Sequence, residues 1–220
     1  MTVSFLDTQA EAAIRQRVAA LENATGVEVV TAVIARADSY PEIPWKAFAL
    51  GASVAALGVV AIAARQPGWE AFEAIAETAV IVLAAGATAA LATIWFAPFA
   101  RWFLPVSRRE AETRQYAQAM FLESGLSGTT HRNGILLLVS LFERQVVAIA
   151  DRGLREKIGA AELGPVIAVV TGRLANASLP DALLDGLAKL QEILVANGFH
   201  VPAERVNELP DTVLQQRGPV

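Results

Sequence analysis

An α/β domain cut in two by a transmembrane helical hairpin is the fold class predicted by three observations. Residues 47–64, AFALGASVAALGVVAIAA, carry neither charge nor proline. A second charge-free run, TAVIVLAAGATAALATIWFAPFA, covers 78–100. On either side lie β-branched, apolar stretches that read as buried strands, 27–36 before the runs and 134–151 after them.

The first element is a helix. Thr8-Gln9-Ala10-Glu11 has the spacing of a capping box, with Thr8 bonding the backbone donor at Glu11 and Glu11 reaching back. Ile14, Val18 and Leu21 then repeat on one face, Glu11 and Arg15 pair at i,i+4, and Gly26 stands just past the end. VEVVTAVIAR follows, a strand apolar on both faces that residues 1–45 cannot bury alone.

The two charge-free runs come next. As helices they are about 27 and about 34 Å long, against a hydrocarbon core of about 30 Å. Helices apolar all round need apolar partners all round, and the rest of this chain is too small to enclose two of them. All four tryptophans, Trp45, Trp69, Trp95 and Trp102, fall beside or near the ends of the runs, where an aromatic belt belongs. Small residues Gly51, Ala55 and Gly58 suit close packing against Gly86 and Ala90. The expected membrane segment is 46–100, with helices over 46–65 and 78–100.

Charge sets the orientation. Arg36, Lys46, Arg101, Arg108, Arg109 and Arg114 lie close outside the runs, whereas the connecting loop offers Arg65 against Glu70, Glu73 and Glu77. The positive-inside rule then puts both termini in the cytoplasm. In the loop, Trp69, Phe72, Ile75 and Ala76 share one side at helical spacing, which suits either a segment lying in the membrane interface or a solvated turn. The N-terminus shows no basic n-region or apolar h-region, so no cleaved signal peptide is expected.

Beyond the runs, Ser107-Arg108-Arg109-Glu110 reads as a second capping box, opening a helix with Tyr116, Ala119 and Met120 on one side and an end near Gly125. Gly134–Leu141 and Gln145–Asp151 read as a β-hairpin turning at Glu143-Arg144. Leu163, Val166, Ile167, Val170 and Leu174 keep helical period. Ser178-Leu179-Pro180-Asp181 opens a last helix with Leu183, Leu187, Leu190 and Leu194 on one stripe. The tail from Phe199 holds three prolines and is expected to be irregular. A hairpin returns the chain to the side it left, so 1–45 and 101–220 are expected to form one split domain.

Two blocks carry a family resemblance. TGVEVVTAVI at 25–34 and HRNGILLLVSLFERQVVAIADRGLREKIG at 131–159 resemble the TPM domain family, over roughly residues 7–45 and 105–195. The shared pattern is a Thr-Gly-acidic strand, an Asn/Asp-Gly before an apolar run, a charged turn, a second strand, and a glycine motif before a helix. The resemblance implies an α/β/α sandwich with a small mixed sheet. It also implies two chemistries found in some members: acid phosphatase activity, and divalent cations, Ca²⁺ or Mg²⁺, held near the loops at the strand ends. This chain departs from the pattern there. His131-Arg132-Asn133 stands where many members have acidic residues, and Asp151-Arg152-Gly153 where many have Gly-x-Gly. A hard cation needs several oxygen ligands, and the carboxylates left nearby are Asp38, Glu143 and Asp151.

Composition narrows the rest. Hydrophobic residues make up 54% of the 220, there is no cysteine, and the net charge is -4. Thiolate chemistry and disulfides are excluded, and nothing points to nucleic acid. No phosphate-binding loop, dinucleotide glycine motif, His-Glu-x-x-His or Gly-x-Ser-x-Gly occurs, so no cofactor is evident from motifs. His131 reads as a general acid/base or phosphate contact, or as a solvent-exposed loop histidine. Asp151-Arg152 reads as a ligand-binding edge or as a structural ion pair. Arg132, Asn133 and Arg152 join His131 as ligand-binding candidates. The function expected is a membrane-tethered interaction or assembly module, held at the bilayer and binding another membrane or envelope protein. The alternative is a divalent-metal-assisted acid phosphatase.

Overall fold

The computed structural model describes residues 4–65, 72–200 and 208–219. Trp69 and the side chain of Phe72, two of the residues that suggested an interfacial loop, lie outside the described part. The chain forms two compact units, residues 1–38 with 109–220, and residues 39–108.

In the first unit, α1 (Thr8–Thr25) buries Ile14, Val18 and Leu21 and ends at Gly26, whose N–H donates to the Glu22 carbonyl and whose positive φ of 72° turns the chain out of the helix. Its cap is Asp7 rather than Thr8: the Asp7 carboxylate accepts from the Ala10 N–H at 2.7 Å. Either residue type caps well, and the helix takes the one that leaves Thr8 inside the first turn. The strand β1 (Glu28–Ile34) is buried throughout.

After the hairpin, α5 (Val106–Glu123) starts one residue before Ser107, so the expected Ser107 box does not form. Its buried stripe is Thr113, Ala117, Met120 and Phe121, with Tyr116 packed beside them, and Ala119 is exposed. A 3-10 turn (Leu126–Gly128) leads to β2 (Gly134–Ser140), which turns through Glu143-Arg144 into antiparallel β3 (Gln145–Ala150). Two amphipathic helices follow, α6 (Ala160–Asn176) and α7 (Leu179–Ala196). The second is capped by Ser178, which accepts from the Asp181 N–H, as its sequence predicts.

The tail is not wholly irregular. Leu214–Gln216 forms β4, parallel to β1, and the sheet order is β3-β2-β1-β4. The β1–β2 ladder is also parallel, with Glu28 facing Gly134 and Ile34 facing Ser140. Alternate residues feed two cores. Val29, Val33, Ile135, Leu137 and Val139 pack with α1, α6 and α7. Val30, Ala32, Ile34, Leu136 and Leu138 pack with α5. This is the mixed-sheet α/β/α sandwich that the family resemblance implies.

The second unit is helical. Here α2 (Glu42–Ala63) begins four residues earlier than 46, because Pro44 falls in the first turn, where no helix N–H is needed. Its antiparallel partner α3 (Phe72–Trp95) stops five residues short of 100, and a six-residue helix, α4 (Ala97–Trp102), follows a break at Phe96. The two long helices approach closely at small residues. A Cβ on Gly51 would meet the Ala85 carbonyl and the Ala89 side chain at 2.8 Å, and one on Gly86 would meet the Phe48 ring at 2.8 Å. Gly58, also expected in that contact, has nothing within 4 Å.

Candidate functional site

The sequence-derived candidates fall at opposite ends of the sheet. At the end where β1 and β2 begin and β3 finishes, a loop at 129–133 meets the turn at 151–155. Gly153 makes this approach feasible: its N–H donates to the Arg132 carbonyl at 3.0 Å, and a Cβ there would stand 2.4 Å from the His131 oxygen. The loop is pinned on its other side by Asn133, whose Nδ2 donates to the Gly26 carbonyl at 2.6 Å while its own carbonyl accepts from the Glu28 N–H. Arg132 takes a left-handed φ of 53°.

Five of the candidates meet here. Asp151 is buried, with Oδ1 accepting from the Arg152 N–H at 2.7 Å and Oδ2 lying 3.8 Å from the Arg132 guanidinium. That guanidinium also donates to the Ser127 carbonyl at 2.5 Å. Oδ2 of Asp151 and Oδ1 of Asn133 are buried acceptors without a hydrogen-bond donor among the described residues. His131 and Arg152 are exposed on the same loops. The corner therefore combines a buried carboxylate with cationic side chains at the surface.

The other two metal candidates sit elsewhere. Glu143 is fully buried in the β2–β3 turn, where Oε1 accepts from the Ala37 N–H at 2.9 Å and Oε2 from the Ser140 hydroxyl. It ties the far end of β1 to the hairpin turn. Asp38 follows Ala37 at that same end. The seven residues of β2 separate Glu143 from Asp151, and at about 3.3 Å per residue the gap is about 20 Å. Asp38, Glu143 and Asp151 are thus not brought together, and the set does not fit a divalent cation. Among the described residues no group of three His, Asp or Glu side chains is placed to hold a metal ion.

The structure also gathers carboxylates that the sequence reading passed over. Glu22, buried at the end of α1, accepts from the Val29 N–H at 2.8 Å. Its carboxyl is pushed up to about 8, chiefly by burial, helped by the neighbouring charges of Glu28 and Asp211 and a hydrogen bond with Asp211, and opposed by the Val29 N–H. On the adjoining loop, Glu208 accepts from the Thr130 N–H at 3.0 Å and from its hydroxyl at 3.1 Å. The one sequence signal for this cluster was Glu28, an acidic residue inside a strand otherwise apolar on both faces. Such a residue needs a partner when buried.

With this geometry in view, three comparisons bear on the chain. The sequence profile described as the TPM domain matches residues 102–193. This stretch contains the second of the two blocks that carry the resemblance, 131–159, and bears the resemblance out; the first block, 25–34, lies outside the match. No curated protein sequence matches the chain. Among solved structures, the NMR structure of BA42 protein from the psychrophilic bacterium Bizionia argentinensis is similar, with a TM-score of 0.58 and 14% identity over 96% of each chain. At that identity the likeness is one of fold.

Proposed function

We propose that this chain, with its TPM-domain match over 102–193, is an integral membrane protein. In this reading α2 and α3 cross the bilayer as a hairpin, and the α/β unit is held at the cytoplasmic surface as an interaction or assembly module for another membrane or envelope protein. The observation that carries it is the uncovered apolar surface of the hairpin. Glu42–Ala63 and Ala74–Trp95 each reach a mean hydropathy of 1.9, yet only 6% and 11% of their most apolar stretches are buried within the protein. Core helices of a water-soluble fold are covered by their neighbours. These are not, and lipid is the solvent that suits them. Their hydroxyls fit the same solvent: Thr78, Thr88 and Thr93 each donate to a carbonyl three or four residues back, at 2.6–2.8 Å.

Two experiments test this reading. After carbonate washing and ultracentrifugation the protein should remain in the membrane pellet, and recovery in the supernatant would refute the hairpin. Protease added to intact cells should spare both termini and reach at most the 65–77 loop, so digestion of the C-terminal unit would reverse the orientation. The three carboxylates named for the metal-assisted phosphatase reading, Asp38, Glu143 and Asp151, do not converge. Hydrolysis of a phosphomonoester with Mg²⁺ or Ca²⁺, lost in Asp151→Ala, would revive it.

A further inference from the structure

The chain between the second apolar helix and the α/β unit has an order of its own. Pro98 cannot donate to a continuing α3, and its ring would crowd the Ile94 carbonyl that such a helix directs toward it. The helix therefore ends at Trp95, and Phe96 takes a non-helical φ of -114° and ψ of 86°. A new helix, α4, starts with Pro98 in its first turn, where a proline is tolerated.

This short helix has two sides. Ala100 and the following Leu104 are buried, as are Ile43 and Ala47 on the adjoining α2. Lys46 Nζ donates to the Phe103 carbonyl at 3.2 Å and ties the segment to α2. Phe99 braces the outer side, edge-on to Phe103 at 5.2 Å and tilted against Trp102 at 6.4 Å. The other side is apolar and uncovered: Phe96 is 62% exposed, Trp102 84% and Val106 54%. Around it stand Trp45, near the start of α2, and Trp95, at the end of α3, exposed by 73% and 72%. Three of the chain's four tryptophans are therefore bare at one end of the hairpin. The charged residues of this collar are Lys46, Arg101 and Arg108 against Glu42, which bonds Arg108 at 3.1 Å.

We propose that α4 is an in-plane interfacial anchor: it lies at the headgroup–acyl boundary of the bilayer, with Phe96 and Trp102 inserted and the collar cations at the level of the phospholipid phosphates. The inference rests on the transmembrane reading of α2 and α3, and goes beyond it by assigning a lipid-contacting role to residues outside both spans. The occupant is the bilayer because the collar is continuous with the ends of both spans, so lipid that surrounds α2 and α3 reaches it first. Indole suits that layer, being apolar over its rings with one N–H for the carbonyl region. A cationic excess suits phosphate.

The test places a single tryptophan in phospholipid vesicles carrying bromine at shallow or deep acyl positions. With Trp45, Trp69 and Trp95 replaced by Phe, Trp102 should emit as a lipid-shielded indole and be quenched about twofold more by shallow than by deep bromine. The control replaces all four native tryptophans by Phe and adds Leu57→Trp in the middle of α2, where deep bromine should quench better. If Trp102 emits as in water and escapes both quenchers while the Leu57→Trp control is quenched, the anchor is refuted and the hairpin stands. If neither probe is quenched, the transmembrane reading falls and the anchor with it.

Discussion

The two units of this protein use apolar residues in opposite ways. In the α/β unit, Leu136, Leu137 and Leu138 are consecutive in β2 and all fully buried, because alternate side chains enter separate cores on the two faces of the sheet. In the hairpin unit, Leu57 is 71% exposed on a helix with no polar side to turn outward. The difference shows that hydrophobicity alone does not report a core. Periodicity does: the sheet and its helices direct apolar groups inward, whereas α2 and α3 present them in every direction.

That contrast can be broken experimentally. The largest effect is expected from Leu137→Ala, which leaves a cavity between the sheet and α7 and should cost about 3–5 kcal/mol. The matched Leu57→Ala should change thermal unfolding of the detergent-solubilised α/β unit by less than about 0.5 kcal/mol. Equal losses from both variants, followed by calorimetry, would mean that α2 is packed as a core helix. Next in size, Leu57→Arg should be penalised by about 2.5–3.5 kcal/mol at a mid-span position and lower the carbonate-resistant fraction. An unchanged fraction would place α2 outside the bilayer.

A further effect is expected from pH, because burial raises the Glu22 carboxyl even after the Val29 N–H offsets part of the penalty. Its carboxyl rises from 4.5 to about 8 on folding, so the native state holds a proton that the unfolded chain releases. The resulting stability is complete below about pH 4.5, declines as pH rises, and is gone above about pH 8. Urea midpoints measured across that window should fall in the parent protein, and Glu22→Gln should flatten the decline. A parallel decline in the variant would assign the pH dependence to other groups.

Much of the fold was legible because local signals agreed with it. The stripes of α1 and α7, the Ser178 cap, the positive-φ glycine after α1 and the turn at Glu143-Arg144 all depend on neighbours in sequence. The strand β4 was not legible. Three residues cannot show an alternation, and what fixes them is remote: the ladder to β1, the Gln215 side chain accepting from the Phe5 and Leu6 N–H groups, and the Gln216 side chain accepting from Tyr116. The candidate site was half legible. His131, Arg132, Asn133 and Asp151 meet because Gly153 lets two loops touch. The separation of Glu143 from Asp151 follows from the hairpin itself, since a residue in its turn and one past its open end stand a strand length apart. The Glu22–Asp211 contact joins segments remote in sequence, which no spacing rule connects.

The position of β1 has a consequence for how the molecule is made. It is an inner strand, yet both neighbours, β2 and β4, are translated only after the hairpin. As the ribosome works, β1 emerges first and waits unpaired while the apolar helices are made, and the ladder on its second edge cannot close until Gln216 has been added. Assembly of the sheet is thus a late event of biosynthesis, and the interval before it is when this nascent chain is most open to chaperones and to mispairing.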